Sequence, residues 1–237
     1  MEKISYVIWK PADVSDVALR DQLVGETAKR ILGTPGVHGL SILCPDETTE
    51  ALAPARITQV DDPHCGMVNV WVDLADALDR ALIELALRDV TARIVGYLMV
   101  ESVPLLNTTH TAPVGERTPG TTLLTSITPK EGISYDAFLE HWQVVQRKVA
   151  METQCTYRYV RNVIVRPLSE GAPAWAGIVE EGFPTEAVTD PMLWYRADGS
   201  QEKLEENRGH MIESVSAFLD LSKIESHPTS EYVLETL

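Results

Sequence analysis

Basic charge, aromatics, paired cysteines and long apolar runs are all scarce in this sequence, and each scarcity excludes something. Lys and Arg number 20 against 35 Asp and Glu, a net charge of −15. With no basic excess to neutralise phosphates, nucleic acid is excluded as a general partner, and so is an anionic membrane surface. No apolar run approaches the ~20 residues that cross a bilayer as a helix. The three cysteines, Cys44, Cys65 and Cys155, are odd in number and lack CxxC spacing, so they predict neither a disulfide framework nor a structural zinc site. His64 beside Cys65 offers two ligands and lacks a third and fourth, so no metal is expected. There is no Gly-rich fingerprint after a strand, no P-loop, no His pair at i, i+4 and no GxSxG elbow, so no cofactor is expected either. The N-terminus, MEKISYVIWKPAD, lacks the charged-then-apolar pattern of a signal peptide, and a reducing cytoplasm is the expected location. Aromatics make up only 6%, so the core is expected to be aliphatic.

What is present is one pattern, written twice. Strand-like Lys3–Trp9 precedes a helix-patterned stretch over 15–32, opened by Ser15 and closed by Gly33. Strands follow at Val37–Cys44 and Met67–Val72, then a helix over 75–88 and a strand over 92–103. A Pro, Gly and Thr-rich connection has no apolar periodicity. The order then restarts. A strand at Thr122–Thr128 is followed by a helix from Ser134, then strands at Cys155–Val165 and Ala176–Phe183. A helix over 201–219 and a final strand at Glu231–Leu237 complete it. Each βαββαβ half is the ferredoxin-like arrangement, with both helices on one sheet face. The expected fold is therefore α+β. Units 1–107 and 120–237, joined by linker 108–119, would pack sheet to sheet as an intrachain dimeric α+β barrel. A repeat of this size is a duplicated domain, so a monomeric pseudo-dimer or a homodimer is expected.

Residues 132–149 (GISYDAFLEHWQVVQRKV) resemble the EthD-like signature of the dimeric α+β-barrel superfamily. Gly177-Ile178-Val179-Glu180, Phe183-Pro184-Thr185 and Ser230-Glu231-Tyr232-Val233 add to that likeness. The resemblance covers the second half; the first half matches only in the order of its elements. It implies a range of activities: cyclases, muconolactone-type isomerases, cofactor-independent oxygenases, haem-degrading enzymes and accessory proteins. One departure stands out. The family's histidine, four residues after the helix tryptophan, is Gln146 here, and an amide does not titrate.

Candidate chemistry is therefore rebuilt from other residues. His141 and His38 are imidazoles able to act as acid or base near neutrality. Glu180 lies in an otherwise apolar strand. Alternation points it opposite to Glu181, so one carboxylate of the two faces inward, where burial would raise its pKa. Tyr159, with Tyr157 and Arg161 on the same strand face, would polarise a carbonyl if that face lines a cavity, and would pack on helices otherwise. Trp142 and Gln146 share a helix face, and Trp9 and His38 stand on neighbouring elements of the first half. The expected catalytic residues are His141, Glu180, Tyr159 and His38. Trp142, Gln146, Tyr157, Arg161 and Trp9 are expected to bind substrate. The expected function is a small cofactor-independent lyase, isomerase or cyclase acting on a small apolar or aromatic carbonyl compound between the sheets. A haem-dependent or cofactor-free monooxygenase and a non-enzymatic binding or accessory protein are the alternatives. The pocket built on residues 132–183 is the first place to look.

Overall fold

The computed structural model describes residues 1–236. Eight strands alternate with helices along the chain. The first half runs β1 (Glu2–Trp9), α1 (Asp16–Gln22), a π-helical turn (Leu23–Thr27), α2 (Ala28–Leu32) and β2 (Val37–Cys44). Then come α3 (Glu47–Glu50), β3 (Gly66–Val72), α4 (Ala81–Arg88) and β4 (Arg93–Leu105). The second half runs β5 (Thr121–Ile127), α5 (Tyr135–Glu140), a π-helical turn (His141–Gln146), α6 (Arg147–Thr153), β6 (Arg158–Pro167) and β7 (Gly177–Phe183). It ends with α7 (Pro191–Trp194), α8 (Gln201–Phe218) and β8 (Glu225–Glu235). The helix expected over 75–88 starts only at Ala81, and the last strand starts six residues earlier than its pattern suggested. Leu237, the end of that expected strand, lies outside the described residues.

The strands close into one antiparallel barrel in the order β1-β3-β2-β8-β5-β7-β6-β4. The expected α+β barrel is thus a single closed ring of strands. Its two seams, β2 with β8 and β4 with β6, are hydrogen-bonded ladders between the first four strands and the last four. Closure removes every sheet edge, which an open pair of sheets would have left exposed.

Strand alternation sends one set of side chains into the barrel and the other out toward the helices. Inward residues change character along β1. Val7 and Trp9 join Leu43, Met67, Tyr97, Leu124 and Ile178 in an apolar plug. Lys3 and Ser5, nearer the other end, join Asn69, Asn162 and Glu180 in a hydrogen-bonded polar cluster. The interior is therefore filled by side chains, as an eight-stranded ring allows. The cavity expected between the sheets is not where the polar candidates meet.

Outside the ring, the two first helices are built alike. Ser15 caps α1 by accepting from the Ala18 N–H, and Ser134 caps α5 by accepting from the Ala137 N–H. A π turn begins eight residues after the first serine and seven after the second. Such turns recur at functional sites, and here they do not have the same surroundings. Tyr6, nine residues before Ser15, is fully buried in the core beneath the first-half helices. Thr125, nine residues before Ser134, is much smaller, and space remains above it.

Candidate functional site

That space is a cavity of about 460 Å³ between the outer face of β5–β8 and the helices of the second half. Leu123, Thr125 and Ile127 of β5 and Val179 of β7 form its floor. Trp142 and Gln146 from the π turn, with Met211, Val215 and Phe218 from α8, form its roof. Trp194, stacked on Phe183 at 3.8 Å, and Tyr195 close one side. Ala55 and Ile57 reach over from the first half, where Ile57 exchanges two backbone hydrogen bonds of 2.9 Å with Ser226 of β8. The walls are mainly apolar, the usual character of a small-molecule site.

Two polar groups face each other on the floor. Tyr159 of β6 is the direct cross-strand partner of Glu181 of β7, so their side chains rise together on one face. Glu181 has no ion pair and no side-chain hydrogen bond among the described residues. Burial in apolar surroundings pushes its carboxyl up to about 7. Burial first, and the Glu181 charge second, push the Tyr159 phenol above its ordinary value. It therefore stays a hydrogen-bond donor at neutral pH. Above them, Gln146 donates from Nε2 to the Met211 sulfur at 3.1 Å, while its Oε1 is buried with no partner. A buried, unpartnered acceptor costs free energy, and a ligand donor would recover it.

Glu180 is the other carboxylate of the pair, and its state is the reverse of the one expected. It is fully buried inside the barrel. It accepts from Asn69 Nδ2 at 3.0 Å, Asn162 Nδ2 at 2.9 Å and Arg158 at 2.7 Å, with Lys3 Nζ 3.5 Å away. Desolvation alone would raise its pKa, but Lys3, Arg158 and the hydrogen bonds outweigh it and hold the carboxyl down to about 2. Arg158 also pairs with Glu231 at 2.8 Å. Glu180 is thus held ionised at neutral pH by the cluster around it.

The remaining candidates scatter. His141 lies at the helix–helix contact, 3.3 Å from the Ser214 hydroxyl and stacked on Phe218, and does not line the cavity. His38 is exposed on the rim, 2.7 Å from Asp73, because β2 slips register between Val37 and Gly39. Trp9 is part of the barrel plug and donates from Nε1 to the Asp62 carbonyl at 3.0 Å. Tyr157 lies before β6 begins, off the Tyr159 face. It donates to the Pro119 carbonyl and stacks on His110. Arg161 shares the outer face with Tyr159 but is spent on the Gln143 carbonyl and the Ser102 hydroxyl. Of the nine candidates, Tyr159, Trp142 and Gln146 come together in the cavity.

Sequence reasoning assigned no role to Glu181 because it looked for a single buried face on β7. In a closed barrel with helices outside, both faces of a strand are buried, so neighbouring carboxylates both become significant. His64 was dismissed for want of ligands; the fold brings Glu225 and His227 to it, with their ligand atoms all within 4.8 Å of one another.

No protein-family pattern matches the chain, and no curated protein matches it. Among solved structures, an anthrone oxidase-like protein superimposes with a TM-score of 0.57 at 11% identity, over 99% of this chain and 93% of its own. A dye-decolorizing peroxidase from Bacteroides thetaiotaomicron aligns with a TM-score of 0.49 at 9% identity, over 96% and 92%. A Lactobacillus acidophilus protein named as a candidate monooxygenase aligns at 0.46 and 9%, over 100% and 97%. At such identities the likeness is one of architecture, and what this chain shares with the anthrone oxidase-like protein over almost its whole length is the α+β-barrel fold.

Proposed function

We propose that the chain is an enzyme that removes an acidic proton from a small aromatic or polycyclic carbonyl compound, with Glu181 as the base. The observation that carries this reading is a carboxylate with no protein partner, raised to about 7, on the floor of an apolar cavity. A base poised near the working pH is the most effective one. The Glu181 carboxylate takes a proton from the carbon next to the substrate carbonyl and becomes a carboxylic acid. The Tyr159 hydroxyl donates to the enolate oxygen that forms. The unpartnered Gln146 oxygen accepts from a substrate hydroxyl, and Trp142 and Trp194 supply aromatic walls. In this reading Gln146 stands where EthD-like relatives carry histidine, and the proton chemistry has moved from the helix to the strand.

The enolate has two fates. Reprotonation elsewhere gives isomerase or cyclase chemistry, and reaction with dioxygen gives cofactor-free oxygenase chemistry. Similarity in fold to an anthrone oxidase-like protein supports the second. No histidine or cysteine lines the cavity; Tyr159, Tyr195 and Met211 are the lining side chains of a type that ligates haem iron. The chain is read here as tandem ferredoxin-like units 1–107 and 120–237. Matching cap serines, matching π turns and a four-strand contribution from each half support that reading.

The test uses anthrone-type and other aromatic ketones in deuterated buffer. The wild-type chain is expected to speed exchange of the acidic C–H, with a rate that rises through about pH 7. Glu181→Gln is expected to lower it by about 100-fold or more, and dioxygen uptake separates the two fates. Undiminished exchange in a folded Glu181→Gln variant would remove Glu181 as the base.

A further inference from the structure

We infer that His64, Glu225 and His227 form a binding site for one divalent transition-metal ion at a mouth of the barrel, separate from the cavity that holds Glu181. Glu225 and His227 lie two apart on β8, so both point into the barrel. They stand opposite Ser126 and Leu124 of β5. The segment leading into β3 carries His64 across to meet them. His64 is far from the other two in sequence, and none of the three is more than 4% exposed.

The ligand-atom distances are close to those of three ligands sharing one ion. His227 Nε2 is 3.4 Å and His64 Nε2 3.9 Å from the same Glu225 oxygen. Metal–nitrogen bonds of about 2.0–2.1 Å set ligand-to-ligand edges of about 3.3 Å in a tetrahedral site. Small side-chain shifts close the difference.

Charge accounting points the same way. Glu181 apart, whose burial favours the neutral acid, the other buried carboxylates have an arginine or lysine: Glu180 has Lys3 and Arg158, Glu231 has Arg158, and Asp46, just beyond β2, has Arg117. Among the described residues Glu225 has neither, only the two imidazoles. The His64 Nδ1 is itself buried without a partner. A divalent ion bound through the two imidazole nitrogens and the carboxylate would supply the missing positive charge.

Three protein ligands leave coordination positions open, and an adjoining cavity of about 370 Å³ faces them. Both histidines line it, with Trp9, Arg56 and Asp62. Trp9 and Trp175 lie edge-on to His64, with centroids 6.2 and 5.7 Å away, and screen the ligands from solvent. Two imidazoles and a carboxylate suit first-row ions such as zinc, cobalt, iron and manganese. The arrangement is that of a site that exchanges water for a small oxygen-donor ligand.

The full chain, stripped with a chelator, is titrated with Zn²⁺ and with Co²⁺. One equivalent per chain is expected, with a rise in the unfolding midpoint, and X-ray absorption of the bound ion should count two imidazoles. Glu225→Gln and His64→Ala are each expected to weaken binding by at least about 100-fold. His210→Ala, on the exposed face of α8, should bind as the wild type does. Absence of a bound equivalent in the wild-type chain, or a bound ion with no imidazole in its shell, overturns the site. So does wild-type affinity in Glu225→Gln, which keeps the size of the side chain it replaces and so carries the test if His64→Ala does not fold.

Discussion

Glu180 and Glu181 are chemically identical neighbours on β7, and the barrel wall puts them in opposite electrostatic states. Glu180, at about 2 in the fold against an ordinary 4.5, is held ionised by two cations and two amides. Its stabilising contribution is complete above about pH 4.5 and is lost as pH falls toward 2. Glu181, at about 7 against the same 4.5, binds its proton more tightly folded than unfolded. Stability must therefore fall as pH rises from about 4.5 to 7, and the ionised side chain strains the fold above that window. The two glutamine variants should diverge accordingly. Glu180→Gln leaves Lys3 and Arg158 short of a buried counter-charge and should cost roughly 3 kcal/mol at neutral pH. Glu181→Gln should be more stable than wild type above pH 7, by on the order of 1–3 kcal/mol, with the difference vanishing below pH 4.5. Urea midpoints of both variants across that range check the signs. Equal and pH-independent effects would defeat the assignment of opposite states.

At the scale of elements, nearly every strand and helix was legible, because period 2 and period 3.6 patterning survives wherever one face is buried. Ser15 and Ser134 marked their helices from sequence alone, and both accept the capping hydrogen bond. The π turns were not legible, since nothing in HWQVVQ distinguishes a widened turn from an ordinary one. The candidates that line the cavity are those on a helix stripe or beside it on one outer strand face: Trp142, Gln146 and Tyr159. Barrel closure decides which face of each strand meets cavity, core or solvent, and single strands do not encode closure. His38 shows the limit, because a register slip turned a candidate inward imidazole into an exposed one hydrogen-bonded to Asp73 on the rim. Packing between elements also fixes the cavity wall. A Cβ on Gly177 would come within 2.3 Å of the Trp142 indole, so only glycine lets that ring lie against β7. Gly177→Ala should cost about 1–3 kcal/mol from overpacking and tilt Trp142 into the cavity. A lower urea midpoint together with altered tryptophan emission is the expected signature, and an unchanged midpoint would mean that the ring has room to move.

For the whole molecule, ring closure makes the two halves of the chain structurally dependent on each other. The ladders β2–β8 and β4–β6 leave neither four-strand set with a free edge. The charged cluster spans the same division, with Lys3 and Asn69 from the first half meeting Asn162 and Glu180 from the second. Arg117, just ahead of β5, reaches back to Asp46 at 3.2 Å, and Ile57 of the first half roofs the cavity of the second. Separating the halves would strip two strands of their ladder partners in each, leave buried charges unpaired and open the cavity to water. Unfolding should therefore be a single cooperative transition, with the calorimetric enthalpy equal to the van't Hoff value. Residues 120–237 expressed alone should fail to stay monomeric, because β6 and β8 would each present a bare edge. Two separate calorimetric transitions, or a well-folded monomer of the second half alone, would show instead that each half is stable in isolation and that the seams are only contacts between finished units.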